Sequence, residues 1–478
     1  MQARTGFLEH ARRTAPRRPV HERVRDYREV YMPLPVRTAR EQASRCMDCG
    51  VAFCHDGCPL ANLIPEWNDL VRRDEWQMAI ERLHATNNFP ELTGRLCPAP
   101  CEPACVLDIN DEPVTIKQIE QAIIDRAFDE GWVRADPPAH RTGKHVAVIG
   151  SGPAGLAAAQ QLNRAGHLVT VFEKADRIGG LVRYGIPDFK MEKWLLDRRL
   201  SLLEAEGIIF ETGYNVGVDM SAQDLRDRFD AVVLAVGAEQ PSNLACPGRE
   251  LQGIHFAMDY LVQQNRRVAG DRVDGTPQMS ATRKRVVIIG GGDTGADCLG
   301  NVIREGCTSV QQLYLYPQPP DTRPDSTPWP QWPMILRTYP AHEEGGSRDF
   351  AIMVTGFSGE RSEVQRVHTV RVDVARFPDG RREITPVAGT ESVLDADLVL
   401  LAIGFDGPSR MPLLDAMSIP LGGNTNVVVD DGFATPVPGV FAAGDAVRGA
   451  SLIVWAIADG RIAARSCDRY LMGRSLLP

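Results

Sequence analysis

Residues 145–174, HVAVIGSGPAGLAAAQQLNRAGHLVTVFEK, carry the pattern that predicts the fold. An apolar run leads into G-x-G-x-x-G at Gly150, Gly152 and Gly155, and a helical segment and a second apolar run ending at Glu173 follow. In such a unit the first glycine makes the tight turn, the second lets the backbone approach a pyrophosphate, and the third lets helix and strand pack closely. The helix N-terminus faces the phosphates, and the acid accepts hydrogen bonds from a ribose. The stretch therefore predicts a β-α-β unit that binds a dinucleotide.

A second β-α-β unit is predicted from RVVIIGGGDTGADCLGNVIR at residues 285–304. The strand predicted next, SVQQLYLY, is followed by no acid before Asp321. A missing acid removes the acceptor for the ribose diol, whereas a nearby arginine can pair with a 2′-phosphate. The pattern predicts NADPH rather than NADH, with Arg323 as the phosphate-binding residue, and a solvated loop arginine is the alternative. The candidate NADPH-binding residues are Gly290, Gly292, Asp293, Thr294, Gly295 and Arg323.

Two dinucleotide sites in one chain indicate a flavin nucleotide and a nicotinamide nucleotide placed face to face. Residues 439–460, GVFAAGDAVRGASLIVWAIADG, place Asp445 between a predicted strand and a helix, where its carboxylate can meet a ribityl chain. This layout resembles the thioredoxin-reductase-like flavoproteins, which implies an FAD domain interrupted by an NAD(P)H domain. The candidate FAD-binding residues are Gly150, Gly152, Pro153, Ala154, Gly155, Glu173, Lys174, Gly180, Leu181, Val216, Gly237, Gly444 and Asp445.

Seven of the eleven cysteines lie between Cys46 and Cys105, in the patterns C-x2-C-x4-C-x3-C-P and C-x3-C-x3-C. The first pattern is close to the bacterial ferredoxin run, in which the last cysteine ligates a different cluster from the first three. We therefore predict two [4Fe-4S] clusters, and structural zinc is the alternative. The first cluster is assigned to Cys46, Cys49, Cys54 and Cys105, and the second to Cys58, Cys97 and Cys101.

Two four-iron clusters need eight ligands, and Glu120 is the candidate for the eighth. In TIKQIEQAIIDRA, residues 115–127, Glu120 falls inside the apolar stripe of a predicted helix. A carboxylate on an apolar face is costly unless it is paired or bound to metal. The alternative is a salt bridge to an arginine of the same domain.

The motifs together resemble the small-subunit family of bacterial NADPH-dependent glutamate synthases. The resemblance rests on the cysteine stretches, GGLVRYGIPDFKMEK at residues 179–193, HEEGG at residues 342–346 and SLIVWAIADGR at residues 451–461. It implies two [4Fe-4S] clusters, FAD, an NADPH site and a large partner subunit with glutaminase activity, FMN and a further cluster. The N-terminal part also resembles dihydropyrimidine dehydrogenase, whose glutamine ligand at the matching helix position supports Glu120.

Composition limits the other functional classes. A net charge of −9 argues against nucleic-acid binding. The sequence has no apolar run of ~20 residues, and its first 20 residues lack the apolar core of a signal peptide. We therefore expect a cytoplasmic protein that does not enter a membrane. Residues 1–45, with eleven Arg against five Asp or Glu, form either a solvated arm or a docking segment for an acidic partner.

The sequence thus predicts an α/β chain with a helical N-terminal iron–sulfur domain and two Rossmann-like domains. The expected domains are residues 1–140 for the clusters, 141–245 with 403–478 for FAD, and 246–402 for NADPH. The predicted function is NADPH oxidation and electron delivery to a large subunit in a hetero-oligomer, with hydride transfer between bound cofactors and no catalytic side chain. A glutaminase of the type that the resemblance implies uses an N-terminal cysteine nucleophile, and the first cysteine here is Cys46, so we expect the glutaminase activity to lie in the partner subunit. One alternative is a subunit of another NAD(P)H-dependent flavin and iron–sulfur oxidoreductase, ferredoxin-linked or bifurcating, and the other is a non-enzymatic assembly subunit.

Overall fold

The computed structural model describes residues 5–273, 278–377, 380–408 and 411–478. No helix in these ranges is both long and apolar enough to cross a membrane. The strands are β1 (His145–Ile149), β2 (Leu168–Glu173), β3 (Ile209–Thr212), β4 (Ala231–Leu234), β5 (Ile254–Phe256), β6 (Arg285–Ile289), β7 (Ser309–Tyr314), β8 (Ser347–Phe350), β9 (Ile352–Glu360), β10 (Glu363–Arg376), β11 (Arg382–Pro386), β12 (Ser392–Asp395), β13 (Leu398–Leu401) and β14 (Val440–Ala442).

The helices fall into an N-terminal group and a group that flanks the sheets. The first group is α1 (Gly6–Glu9), α2 (Val20–Arg23), α3 (Val36–Ala43), α4 (Phe53–Asp56), α5 (Ile64–Arg72), α6 (Trp76–Thr86), α7 (Pro90–Leu96) and α8 (Ile116–Asp129), with a 3-10 helix at Val106–Ile109. The second group is α9 (Pro153–Arg164), α10 (Leu181–Tyr184), α11 (Lys193–Ala205), α12 (Ala222–Arg228), α13 (Ala257–Val268), α14 (Gly292–Arg304), α15 (Pro340–Glu344), α16 (Pro412–Ala416), α17 (Asp445–Arg448) and α18 (Ile453–Met472).

Two parallel five-stranded sheets carry the predicted nucleotide units. The first has the order β14-β4-β1-β2-β3 and the second has the order β5-β13-β6-β7-β8. The central strands β1, β4, β6 and β13 are short apolar runs that are almost entirely buried, as expected for parallel strands covered on both faces. The predicted α/β fold class is confirmed.

A third sheet was absent from the sequence prediction. Strands β9, β11 and β12 pair antiparallel with β10, whose 14 residues span residues 363–376. Several strand residues are exposed and polar, so no continuous apolar run marks the sheet. The alternation of valine and polar residues at residues 370–374 was the available signal.

Buried polar contacts join the N-terminal helices to the first sheet. Glu91 on α7 and Arg199 on α11 form an ion pair at 2.6 Å, and their side chains are 0% and 3% exposed. Asn88 donates to the Gln160 side chain on α9 at 2.7 Å and accepts from Arg461 on α18 at 2.7 Å. Removing one partner of a buried ion pair costs ~3–5 kcal/mol. The helical region is therefore held firmly against the helices of the first sheet.

The basic N-terminal segment is folded onto the rest of the chain. Arg23, with a side chain 1% exposed, lies 2.7 Å from Glu344 on α15, whose side chain is equally buried. Arg4 lies outside the described residues, and nine of the ten arginines described up to residue 45 form ion pairs. These pairs are Arg12–Glu102, Arg13–Glu41, Arg17–Glu343, Arg18–Asp26, Arg23–Glu344, Arg28–Asp26, Arg37–Glu41, Arg40–Asp74 and Arg45–Asp111. Much of this charge is thus paired within the chain, although the side chains of Arg28 and Arg37 remain 75% and 91% exposed.

Candidate functional site

A cavity of about 460 Å³ lies at the carboxyl ends of β1, β2 and β4. Parallel sheets bind nucleotides at this edge because the glycine-rich turns leave the strands there. The other side is closed by residues of α13, namely Met258, Asp259, Val262 and Arg266, and by Phe405 and Met411. Of the candidate FAD-binding residues, those that line the cavity are Gly150, Gly152, Pro153, Ala154, Glu173, Lys174, Gly180, Leu181, Val216, Gly237 and Asp445.

The other two candidates, Gly155 and Gly444, shape the cavity wall from behind. A Cβ atom at Gly155 would collide with the carbonyl oxygen of Gly150. Gly444 has φ +69°, and a Cβ atom there would lie 2.7 Å from the Cβ of Ala154. Gly150 itself has φ +101° and no room for a side chain against Ala235. Side chains at these glycines would fill the space beside the turn. Their absence leaves the backbone open to a pyrophosphate.

Two carboxylates face this cavity. Glu173 accepts hydrogen bonds from the Ser151 backbone N–H at 3.2 Å, the Ser151 hydroxyl at 2.5 Å and the Ala175 N–H at 2.8 Å, which holds it at the end of β2. Burial raises the pKa of Asp445 to about 6, while the Ser451 hydroxyl and N–H, at 2.9 and 3.2 Å, act in the opposite direction. Both are placed to accept hydrogen bonds from ribose and ribityl hydroxyls, so the residues present fit FAD.

The second glycine-rich turn joins β6 to α14. Gly290 has φ +112° and lies against the carbonyl oxygen of Ala402, and Gly295 is packed against the Gln312 side chain. Gly292 has φ +70° with open space around it. Asp293 and Thr294 lie in the first turn of α14. The open backbone at Gly292 is where a second pyrophosphate can approach.

Lys190 reaches this turn from the segment between α10 and α11. Its Nζ lies 2.7 Å from Asp297 Oδ1 and 3.1 Å from Asp293 Oδ1. Burial alone would lower the pKa of Lys190, but the two carboxylates outweigh it and raise that pKa. Burial also raises the pKa of Asp297 to about 6, although Lys190 opposes the shift. The glycine-rich turn is thus tied electrostatically to the flavin side of the molecule.

Arg323 requires a correction. Its guanidinium lies 2.8 Å from Asp108 Oδ2, and it also donates to the carbonyl oxygens of Pro103, Gln331 and Thr327 at 2.9, 2.6 and 3.3 Å. With its donors used in this way, Arg323 fastens the proline-rich loop at residues 315–339 to the cysteine region. It is neither a solvated loop residue nor free for a nucleotide phosphate.

Two other arginines lie near the end of β7 and the second glycine-rich turn. Arg348 on β8 donates to the Arg337 carbonyl at 3.2 Å and lowers the pKa of Tyr314, the last residue of β7, against the larger upward effect of burial. The Arg337 guanidinium lies over the Trp332 ring at 4.0 Å, and burial lowers its pKa while Tyr339 and Asp293 raise it. Within the described part of the chain, neither arginine has a carboxylate at ion-pair distance.

One cavity is lined by all four cysteines that are assigned to the first cluster: Cys46, Cys49, Cys54 and Cys105. Burial raises the pKa of Cys46 to about 12 and raises that of Cys105 as well. Thiols in such surroundings need cationic metal to become thiolate ligands. Trp329 of the proline-rich loop donates to the Cys105 carbonyl at 3.1 Å and packs on Phe53 at 4.6 Å.

The other three cysteines gather around Glu120 on α8. Cys58, Cys97, Cys101 and Glu120 are each 6–7% exposed. Burial raises the pKa of Cys58 to about 11 and that of Cys97 to about 12, and the neighbouring Glu120 charge adds to both shifts. Burial raises the pKa of Glu120 itself to about 7. The helical prediction that placed Glu120 on the buried face agrees with this position.

Glu120 is held by neutral groups. Asn87 Nδ2 donates to Glu120 Oε1 at 3.0 Å, and the Thr93 hydroxyl donates to the same oxygen. Among the described residues no arginine or lysine reaches ion-pair distance of this carboxylate. The expected alternative, a salt bridge to a domain arginine, is therefore not found. Across all the residues that the structure describes, no group of three or more His, Cys, Asp or Glu side chains is arranged to hold a single metal ion.

Four residues that lie at or near these sites were not singled out from the sequence: Asn68, Lys190, Arg337 and Arg348. Lys190 lies within a quoted motif, but its partners Asp293 and Asp297 are more than 100 residues away. Helical periodicity could have indicated Asn68, because it lies one turn after Ile64 on the same helix face, and Ile64 lines the same cavity. The two arginines gave no periodic or motif signal.

Comparison with known proteins identifies both regions. Residues 23–132 match the family described as dihydropyrimidine dehydrogenase domain II, 4Fe-4S cluster, and residues 144–320 and 350–460 match pyridine nucleotide-disulphide oxidoreductase. The match to a 4Fe-4S family favours iron–sulfur clusters over zinc. The structure of Mycobacterium tuberculosis FprA in complex with NADPH aligns with a TM-score of 0.57 and 20% identity, covering 69% of this chain and 85% of that chain. At this identity the likeness shows the fold alone.

Closer relatives cover nearly the whole chain. The glutamate synthase [NADPH] small chain of Mycobacterium tuberculosis is 60% identical over 99% of this chain and 97% of its own length. Glutamate synthase [NADH] of Schizosaccharomyces pombe is 44% identical over 99% of this chain, which aligns with 23% of that longer protein.

The fold and the two matched families define the class, a pyridine-nucleotide oxidoreductase with a 4Fe-4S domain ahead of it. Within that class the chain belongs to the glutamate synthase [NADPH] small-chain family. The resemblance seen in the motifs is thereby confirmed, as is an NADPH-dependent oxidoreductase activity.

Proposed function

We propose that this chain is the electron-input subunit of a glutamate synthase. NADPH gives a hydride to FAD, and single electrons then pass through two [4Fe-4S] clusters to a large subunit that converts L-glutamine and 2-oxoglutarate into two L-glutamate. FAD supplies the step from two-electron to one-electron chemistry, and the clusters carry single electrons. The observation that carries the proposal is that α7, the helix immediately before Cys97, is joined to α11 on the flavin side by the buried Glu91–Arg199 pair.

The same contacts support an order for the clusters. Helix α7 ends one residue before Cys97, and its first turn holds Glu91, which binds Arg199 next to the first sheet. The second cluster is therefore proposed to accept electrons from FAD. Two exposed apolar residues lie close in sequence to the cysteines of the proposed first cluster: Val51, between Cys49 and Cys54, and Ile109, four residues after Cys105, with exposures of 66% and 57%. That position suits electron delivery to a partner.

Eight cluster ligands are proposed from the chain: Cys46, Cys49, Cys54 and Cys105 for the first cluster, and Cys58, Cys97, Cys101 and Glu120 for the second. A buried carboxylate beside three thiols and without a cationic partner among the described residues is costly without metal. The Asn87 and Thr93 contacts leave Glu120 Oε1 oriented by neutral donors. Such donors orient a ligand without neutralising it.

NADPH is proposed to bind at the second glycine-rich turn, with its 2′-phosphate read by Arg337 and Arg348. The strand β7 ends in Tyr314 rather than an acid, and Arg348 lies beside that tyrosine. Arg337 lies near Asp293 at the start of α14, and its guanidinium is partly buried. A desolvated guanidinium without a carboxylate partner attracts phosphate strongly.

The partner is proposed to be a separate large subunit in the cytoplasm, forming a hetero-oligomer. Support comes from the fungal relative, in which the region similar to this chain is part of a longer glutamate synthase. The test is capture of the tagged chain from its native host, followed by identification of bound proteins and by flavin, iron and sulfide analysis. Recovery of a flavin- and iron-containing chain with a different redox partner would favour another NAD(P)H oxidoreductase complex.

A further inference from the structure

We propose that the Asn68 side chain donates a hydrogen bond to the first cluster and raises its reduction potential. The inference rests on the proposed function in one respect, namely that Cys46, Cys49, Cys54 and Cys105 hold a cluster. Asn68 lies on α5 and lines the same cavity as these four cysteines.

The Asn68 side-chain amide is fully buried. The residue is 0% exposed, and within the described residues neither Nδ2 nor Oδ1 has a hydrogen-bond partner. Leaving a buried polar group unsatisfied costs ~1–3 kcal/mol. A hydrogen-bonding group in the cavity would remove this cost.

The composition of the cavity wall singles out Asn68. Apart from the four cysteines and Asn68, every lining residue is apolar: Met47, Ala52, Phe53, Ile64, Pro65, Val106, Leu107, Val114 and Ile116. Asn68 is therefore the one polar side chain, other than the thiols, that the described residues present to the cavity.

The chemistry fixes the direction of the hydrogen bond. Thiolate and sulfide sulfur atoms are acceptors, so the Asn68 N–H group is the donor. Hydrogen bonds to sulfur help to set cluster potentials, and they stabilise the more negative, reduced form most. Asn68 therefore raises the potential of the first cluster above the value that the cluster would have without this donor.

The first experiment is a potentiometric titration of the purified full chain, followed by electron paramagnetic resonance. Asn68→Leu keeps the approximate volume and removes the donor. At a fixed potential near the midpoint, we expect about a tenfold lower ratio of reduced to oxidised first cluster, which corresponds to ~59 mV for a one-electron couple. Asn68→Gln, which keeps an amide donor, should recover part of the shift.

Trp67→Phe is the matched control. Trp67 lies on the same helix and is 0% exposed, and its ring N–H also has no partner among the residues that the structure describes, but it does not line the cavity. Its substitution should leave both cluster potentials unchanged. An equal shift in Trp67→Phe and Asn68→Leu would overturn a specific role for Asn68.

A second measurement does not depend on a variant being stable. In the unsubstituted chain labelled with 15N-asparagine, pulsed electron paramagnetic resonance should detect a weakly coupled nitrogen on the reduced first cluster. Absence of that coupling would overturn the proposal. Iron and sulfide analysis distinguishes failure of the proposed function from failure of the Asn68 proposal. A chain without clusters contradicts the proposed function. Intact clusters without the nitrogen coupling or the potential shift contradict only the role of Asn68.

Discussion

The Lys190 ammonium group lies 2.7 Å from the Asp297 carboxylate and links the segment before α11 to the helix that follows the second glycine-rich turn. Asp297 is 2% exposed, so its charge depends on this lysine. Lys193 also lowers the pKa of Asp297, but less than Lys190 does. The contact fixes one nucleotide-binding turn relative to the flavin side.

Lys190→Met should destabilise the chain by ~3–5 kcal/mol, because it leaves a buried carboxylate unpaired. The pKa of Asp297, already raised to about 6, should rise further above its unfolded value of ~3.9. The folded variant then binds more protons than the unfolded chain, so its stability falls as pH rises. Urea unfolding should show a larger deficit at pH 8 than at pH 5.5. The double variant Lys190→Met with Asp297→Asn is the control and should recover most of the loss; a deficit independent of pH would point to lost packing instead.

Arg337→Ala and Arg348→Ala should each weaken NADPH binding selectively. Loss of one charge-assisted phosphate contact is worth ~1.5–3 kcal/mol, so KM for NADPH should rise about tenfold or more while KM for NADH changes little. Steady-state reduction of an artificial acceptor with each nucleotide measures this. Arg323→Ala is the control, because its guanidinium is bound to Asp108. A selective NADPH defect in Arg323→Ala alone would restore Arg323 as the phosphate-binding residue.

Glu120→Ala should damage the second cluster and spare the first. Iron should fall from about eight toward about four per chain, or a three-iron signal should appear, because one of the eight proposed ligands is lost. Glu120→Gln keeps a ligand oxygen and should retain more iron than the alanine variant. A Glu120→Ala chain with its full iron content, unchanged spectra and unchanged electron transfer would show that another group completes the cluster.

The purified chain should oxidise NADPH with ferricyanide or a dye, because hydride transfer to FAD needs only the two nucleotide sites. It should form no glutamate from glutamine and 2-oxoglutarate until a large subunit is added. Amino-acid analysis of both reactions is the measurement. Glutamate formation by this chain alone would contradict the division of labour proposed here.

Local features of these sites could be read from the sequence. The turns at Gly150 and Gly290 depend on backbone conformations that a short glycine pattern specifies, and both have positive φ. The position of Glu120 follows from helical periodicity, since a residue one turn from Ile116 shares its face. Cysteine spacing indicated two groups because cluster ligands come from short loops joined by one distant residue.

The tertiary structure decided the contacts that cross the chain. Arg323 pairs with Asp108, 215 residues away, so its sequence position near β7 was misleading. Lys190 with Asp297 and Asn68 with the cysteine cavity likewise depend on how separate elements pack. Periodicity and motifs report the conformation of neighbouring residues, whereas the partner of a charged or amide side chain is set by burial and by which distant groups share the same desolvated space.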